Sequence, residues 1–200
     1  RPRQRIASFK LMLADPPAKT DDYDKAYPNL GILQLISYVR ENTPLSDDDI
    51  IFLDQFHSLE DHVRLVEKHR PRIYGISFAF LTQRLAYDTI NELKRRFPEM
   101  LIIAGGPHPT SVPDIVMEKT LADLVCIGEG EMTLADIVNE AIYGGNDFTK
   151  IPGLLIRAPD PGAPGLHTGK PRAYEDLDDL PFMAWDRIDF SKFVGQHYCR

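Results

Sequence analysis

Two short loops, Gly105-Gly106-Pro107-His108 and Gly128-Glu129-Gly130-Glu131, each directly follow an apolar run. Met100 to Ala104 precedes the first and Leu124 to Ile127 precedes the second. Glycine just past a strand lets the backbone turn sharply and leaves no Cβ against an incoming ligand. In open α/β sheets, ligands lie outside the carboxyl ends of the strands, where such loops fall. This pattern predicts a parallel sheet that holds something flat or extended across its edge.

The rest of the chain repeats the pattern. Strands are expected at Ile6 to Leu13, Ile50 to Leu53, Ile73 to Phe78, Met100 to Ala104 and Leu124 to Ile127, with helical periodicity between them. After the first strand comes a long loop, Ala14 to Pro28. The next helix carries Ile32, Leu35, Ile36 and Val39 on one face. Ser58 with Asp61 resembles a capping box. A further helix places Ala86, Ile90, Leu93 and Phe97 at helical spacing before Pro98. Ser111 can cap, and Pro113 start, a short helix. Leu134, Ile137, Val138, Ala141 and Ile142 form the last helical face, which stops at Gly144-Gly145.

Beyond this point the composition changes. Ile151 to Arg157 and Leu166 to Tyr174 read as a hairpin around a Pro/Gly-rich tip. Residues 175–181 read as an exposed acidic connector. The end carries Phe182, Trp185, Phe190, Phe193 and Tyr198 with no fold of its own to bury them, so the chain is expected to be part of something longer.

Composition narrows the function. A formal net charge of −7 without a Lys/Arg stripe argues against a nucleic-acid surface. No apolar stretch reaches the ~20 residues that cross a bilayer. The N-terminus does not lead into a cleavable signal, so a reducing cytoplasm is expected. Two cysteines, Cys126 and Cys199, make no disulfide framework, and Cys126 in its apolar run reads as a buried thiol.

Several residues admit two readings. Gly105-Gly106 is either a ligand cradle or a plain tight turn. His108, between Pro107 and Pro109 in a stiff loop, either presents an imidazole to a ligand or is a solvated group. The Ser77 hydroxyl either faces a ligand or satisfies a loop amide. Gly128-Glu129-Gly130 mimics the start of a dinucleotide fingerprint, yet Glu129 and Glu131 would repel a diphosphate. Glu131 either touches a ligand or complements the helix dipole. His57 lies near Asp54 but just before the Ser58 cap, and no further ligand recurs at metal spacing. A nucleophile elbow is absent.

Four stretches in this order resemble the cobalamin-binding domain at the N-terminus of cobalamin-dependent radical S-adenosylmethionine proteins. Leu13-Ala14-Asp15-Pro16-Pro17 is similar to the family's first strand and Asn/Asp-Pro-Pro loop. Tyr27-Pro28-Asn29-Leu30-Gly31-Ile32-Leu33 is similar to its Tyr-Pro-Pro-Leu-Gly helix start. Ile102 to His108 resembles its Gly-Gly-Pro-His loop, and Ile127 to Glu131 its Gly-Glu-Gly-Glu loop. Leu180 to Asp186 looks like the linker before the radical domain.

The resemblance implies a flavodoxin-like (Rossmann-like) α/β fold, a five-stranded parallel sheet of order 2-1-3-4-5 with a C-terminal β-hairpin. It divides the chain into a cobalamin-binding-like domain (1–148), a hairpin extension (149–175) and a linker (176–200) towards a radical domain in cis. It implies cobalamin as cofactor, with the corrin over the strand ends and its nucleotide tail between sheet and helix. Implied binding residues are Asp15, Pro16, Pro17, Ser77, Phe78, Ala79, Phe80, Leu81, Gly105, Gly106, Pro107, His108, Gly128, Glu129, Gly130 and Glu131.

Two departures shape the expectation. Histidine-ligating carriers use Asp-x-His-x-x-Gly after the first strand, and the loop from Ala14 to Pro28 has no histidine. Cobalamin is therefore expected without a histidine ligand from this domain. The Cys-x-x-x-Cys-x-x-Cys cluster of the radical domain is also missing, so S-adenosylmethionine and a [4Fe-4S] cluster are assigned to a downstream domain. The implied parent transfers a methyl group or catalyses a cobalamin-assisted rearrangement or cyclisation. Alternatives are a regulatory small-molecule module, or an interaction domain that has lost cobalamin.

Overall fold

The computed structural model describes residues 6–17, 27–160, 162–174 and 176–192. Phe193, Tyr198, Cys199 and most of the loop after the first strand lie outside the described residues.

The strands β1 (Leu11–Ala14), β2 (Ile50–Leu53), β3 (Ile73–Ser77), β4 (Leu101–Gly105) and β5 (Leu124–Cys126) are parallel neighbours in the order 2-1-3-4-5. The sheet does not end there. β6 (Leu154–Ile156) pairs antiparallel with β5, and β7 (Leu166–His167) with β6, so the sheet has seven strands rather than five. The hairpin is the edge of the same sheet. It satisfies the outer backbone groups of β5, and the two exposed residues of β7 leave only a short free edge.

β1 begins at Leu11, later than the expected Ile6, because the Ile6 N–H is drawn to the Ile142 carbonyl at 2.8 Å. Along β1 the side chains alternate between two cores. Leu11 and Leu13 join one with Ile32 and Ile36 of α1 (Leu30–Asn42) and Ile137 and Val138 of α6 (Glu131–Ala141). Met12 and Ala14 join the other, with Val66 of α2 (Leu59–His69), Ile90 and Leu93 of α3 (Gln83–Arg96), and Val116. Both faces are thus covered, as near-continuous apolar strands require. The Ser58/Asp61 capping box opens α2 as its spacing predicts.

The region after β4 differs from expectation. Pro107–Ser111 forms a short helix, α4, followed by α5 (Pro113–Lys119). Proline at the first position starts each without losing a needed hydrogen bond. Ser111 therefore closes α4, its hydroxyl donating to the Pro107 carbonyl at 2.9 Å, and does not cap α5.

The segment after the hairpin is docked. Gln34 Nε2 donates to the Pro181 carbonyl at 2.8 Å, the Ala184 N–H to the Leu33 carbonyl, and Arg40 reaches both carboxylate oxygens of Asp186. Arg187 then bonds the Asp47 carbonyl, and Lys192 reaches Asp54 beyond β2. The segment runs along α1 and returns beside β2. Ala184 is buried, while Phe182, Trp185 and Phe190 stay exposed.

Candidate functional site

α1 and α6 lie together over one face of the sheet, and small residues beneath them leave a cavity of about 430 Å³ at the carboxyl ends of the strands. Leu13, Gly75, Ser77, Ile103, Gly105 and Cys126 form its sheet side. Asn29, Gly31, Ile32 and Leu35 come from the start of α1, and Glu131 and Leu134 from α6. The volume lies in the range of small-molecule and cofactor pockets.

The glycines divide by what a side chain would meet. A Cβ on Gly105 would approach nothing closer than Cys126 Cβ at 3.8 Å; the missing side chain is open space in the cavity. A Cβ on Gly130 would press on Leu35 Cδ2 at 3.2 Å, so the leucine side chain would have to give. Gly106 has φ +101°, and a Cβ there would lie 2.8 Å from the Phe78 nitrogen and from Ser77 Oγ. Gly128 has φ +81° and abuts Pro171 at 2.8 Å. Gly106 and Gly128 are thus demanded by the backbone, Gly130 lies close against Leu35, and Gly105 leaves room. Gly75, in mid-strand, allows the Leu13 side chain to lie against it.

Half of the expected site residues line the cavity: Ser77, Gly105, Gly106, Pro107, Gly128, Glu129, Gly130 and Glu131. The others sit around it. Asp15 is buried at the end of β1; its Oδ1 accepts from Asn29 Nδ2 at 2.6 Å and its Oδ2 has no partner among the described residues. Burial, with Asp54 nearby, raises its carboxyl to about 7. Pro16 and Pro17 follow it, also buried. Phe78 is buried, and Ala79, Phe80 and Leu81 are exposed at the strand-end rim.

His108 is not presented by a stiff loop. It lies on α4, 8% exposed, with Nε2 2.9 Å from the Tyr87 hydroxyl and the Phe78 and Phe80 rings beside it. Burial lowers its pKa and favours the neutral ring. The packing partner, Tyr87, lies on α3 far along the chain, so no local signal indicated it.

His57 Nδ1 lies 2.8 Å from Asp54 Oδ1, which raises the imidazole pKa. Cys126 is buried, and desolvation pushes its thiol up to about 12. Among the described residues no group of three or more His, Cys, Asp or Glu converges on a metal position. Asn29, Gly31, Leu35, Gly75 and Leu134 were not expected in the site. Gly75 did carry a signal, since glycine inside an apolar strand marks a close approach.

The cavity lies between the helices and the carboxyl ends of the strands, and the absent side chain of Gly105 leaves open space in it. The chain is 28% identical over 189 residues to an uncharacterized methyltransferase of Pyrococcus horikoshii, covering 92% of this chain and 40% of that protein. It is 33% identical over 88 residues to the cobalamin-dependent radical SAM methyltransferase TokK of Streptomyces tokunonensis, covering 44% of this chain and 13% of that one. The chain thus spans less than half the length of these relatives.

Among solved structures, the cobalamin-dependent S-adenosylmethionine radical enzyme OxsB, with aqua-cobalamin and S-adenosylmethionine bound, shares the fold. Its TM-score is 0.72 at 18% identity, over 90% of this chain and 24% of that chain. The model of the B12 binding domain matches residues 21–138. With sheet order, cavity and family model in agreement, the chain belongs to the B12 binding domain family.

Proposed function

We propose that this chain is the cobalamin-binding part of a larger radical S-adenosylmethionine enzyme. In this reading residues 1–148 hold the cofactor, 149–175 extend the sheet, and 176–200 lead towards a radical domain in cis. The observation that carries the reading is the cavity under α1 and α6 at the carboxyl edge of the sheet, where Gly105 leaves open space.

The nucleotide tail of cobalamin enters this cavity, and the corrin lies over the strand ends near Ser77, Phe80 and Leu81. Gly106 and Gly128 set the loop backbones, and Asp15 with Asn29 closes the end of β1. His108, held by Tyr87, supports the loop end of β4 from the other side. Cobalamin supplies a cobalt centre suited to carrying a methyl group; the chain supplies position and enclosure.

The relatives' names favour methyl transfer in the parent. S-adenosylmethionine and its iron–sulfur cluster belong, in this reading, to the radical domain. A cytoplasmic setting accords with that chemistry. Among the described residues no helix is long and apolar enough to cross a membrane.

The test is to incubate the chain with hydroxocobalamin, remove excess cofactor and record the visible spectrum. Retained corrin absorption at one equivalent is expected, and a colourless folded protein would favour an interaction domain instead. With a strong reductant and S-adenosylmethionine, the loaded chain should form no 5′-deoxyadenosine. A version extended through a downstream three-cysteine motif should form it.

A further inference from the structure

Glu131 carries a group that the fold leaves unused. It is the first residue of α6, lines the cavity and is only 7% exposed. Its Oε2 is buried without a hydrogen-bond partner among the described residues. Burial raises its pKa and the charge of Glu129 adds to this, although the backbone amides of Glu131 and Gly130 favour the ionised form. Among the described residues no cation meets it at contact distance: the guanidinium of Arg172 is engaged with Asp136 at 2.7 Å. The walls nearby, from Leu35, Cys126 and Leu134, offer no donor beyond a weak thiol, and the Tyr174 hydroxyl, near enough for the Glu131 charge to raise its pKa, makes no hydrogen bond to Oε2. A buried acceptor left unmet inside a cavity calls for a donor on whatever fills the cavity.

The chemistry of the tail narrows that donor. Its phosphodiester has only acceptor oxygens and a negative charge, which Glu129 and Glu131 repel. Its benzimidazole base has no N–H. Its ribose carries free hydroxyl groups, which can donate; the amide N–H that links the tail to the corrin also donates, but cobinamide keeps it. We propose that Glu131 is a specificity-determining residue for the nucleotide tail, its Oε2 accepting a hydrogen bond from a ribose hydroxyl. This rests on the cobalamin reading.

The test measures affinity for cobalamin and for cobinamide, which keeps the corrin and lacks the nucleotide, by visible titration of the 200-residue chain. Wild type should prefer cobalamin. Glu131→Met should weaken cobalamin binding by about 10-fold or more, leave cobinamide binding unchanged and keep the circular dichroism spectrum. Glu131→Gln, which retains polar atoms at the site, should restore most of the loss.

An equal loss for both corrinoids, or no loss in a folded Glu131→Met, overturns the proposal. Should that variant fail to fold, wild type is titrated with cobalamin O-methylated at the ribose hydroxyls. A similar drop in affinity is expected, and undiminished binding overturns the proposal. Equal wild-type affinity for cobalamin and cobinamide would instead refute the placement of the tail in the cavity, a failure distinct from that of Glu131.

Discussion

The side-chain amide of Asn29 joins the end of β1 to the start of α1. Its Nδ2 donates to Asp15 Oδ1 at 2.6 Å while its Oδ1 accepts the Ile32 N–H at 3.2 Å. One residue thus caps a helix, satisfies a buried carboxyl and lines the cavity. Asn29→Ala removes the cap and leaves Asp15 with neither oxygen paired. Urea denaturation should report a loss of about 1–3 kcal/mol, and cobalamin retention should fall with it.

Asp15 should make stability depend on pH. Its folded pKa of about 7 lies above the ordinary aspartate value of 3.8. Below pH ~4 the carboxyl is neutral in both folded and unfolded chains, and nothing is lost. As pH rises from about 4 to about 7, the unfolded chain gives up its proton while the fold retains it, so stability declines and then levels off. Asp15→Asn keeps an acceptor for Asn29 and removes this titration. It should be more stable than wild type at pH 8, by up to about 4 kcal/mol, with the difference vanishing near pH 4. Parallel stability–pH curves for the two proteins would disprove this account.

Two adjacent glycines should respond differently to the same substitution. Gly105→Val fills cavity space without a backbone conflict, so the protein should melt near the wild-type temperature and lose cobalamin affinity by at least about 10-fold. Gly106→Val meets the Phe78 backbone at 2.8 Å from a positive φ, so it should lower the melting temperature itself. Thermal melts paired with cobalamin titrations separate the two effects.

His57 is engaged with Asp54, whose other carboxylate oxygen meets Lys192. His57→Ala should leave the visible spectrum of bound cobalamin unchanged. In the cob(II)alamin state, electron paramagnetic resonance should show no nitrogen coupling lost between wild type and variant. Disappearance of such coupling would make His57 a cobalt ligand.

The legible parts of this fold are those that local chemistry determines. The alternation of Leu11, Met12 and Leu13, the Ser58/Asp61 cap and the Ile32/Ile36/Val39 face each follow from spacing of a few residues. Gly105 and Gly130 were legible as strand-end glycines because each lies in a loop after an apolar run, and both line the cavity. What stayed hidden depends on distant partners. His108 is buried by Tyr87, 21 residues earlier. Ala184 is covered by α1, whose Gln34 bonds a carbonyl 147 residues away. The hairpin was visible as a hairpin, but its pairing to β5 rests on the Cys126–Leu154 register, which neither segment encodes alone.

α1 is a wall of the cavity, and it is braced along its length by Asn29 to Asp15, Gln34 to Pro181 and Arg40 to Asp186. A group seated beneath α1 is held by this braced wall, and any opening of the cavity that moves the helix strains all these braces at once. The consequence is kinetic. The chain should exchange its cofactor slowly, with a residence time set by this concerted opening more than by the strength of any single contact to the ligand.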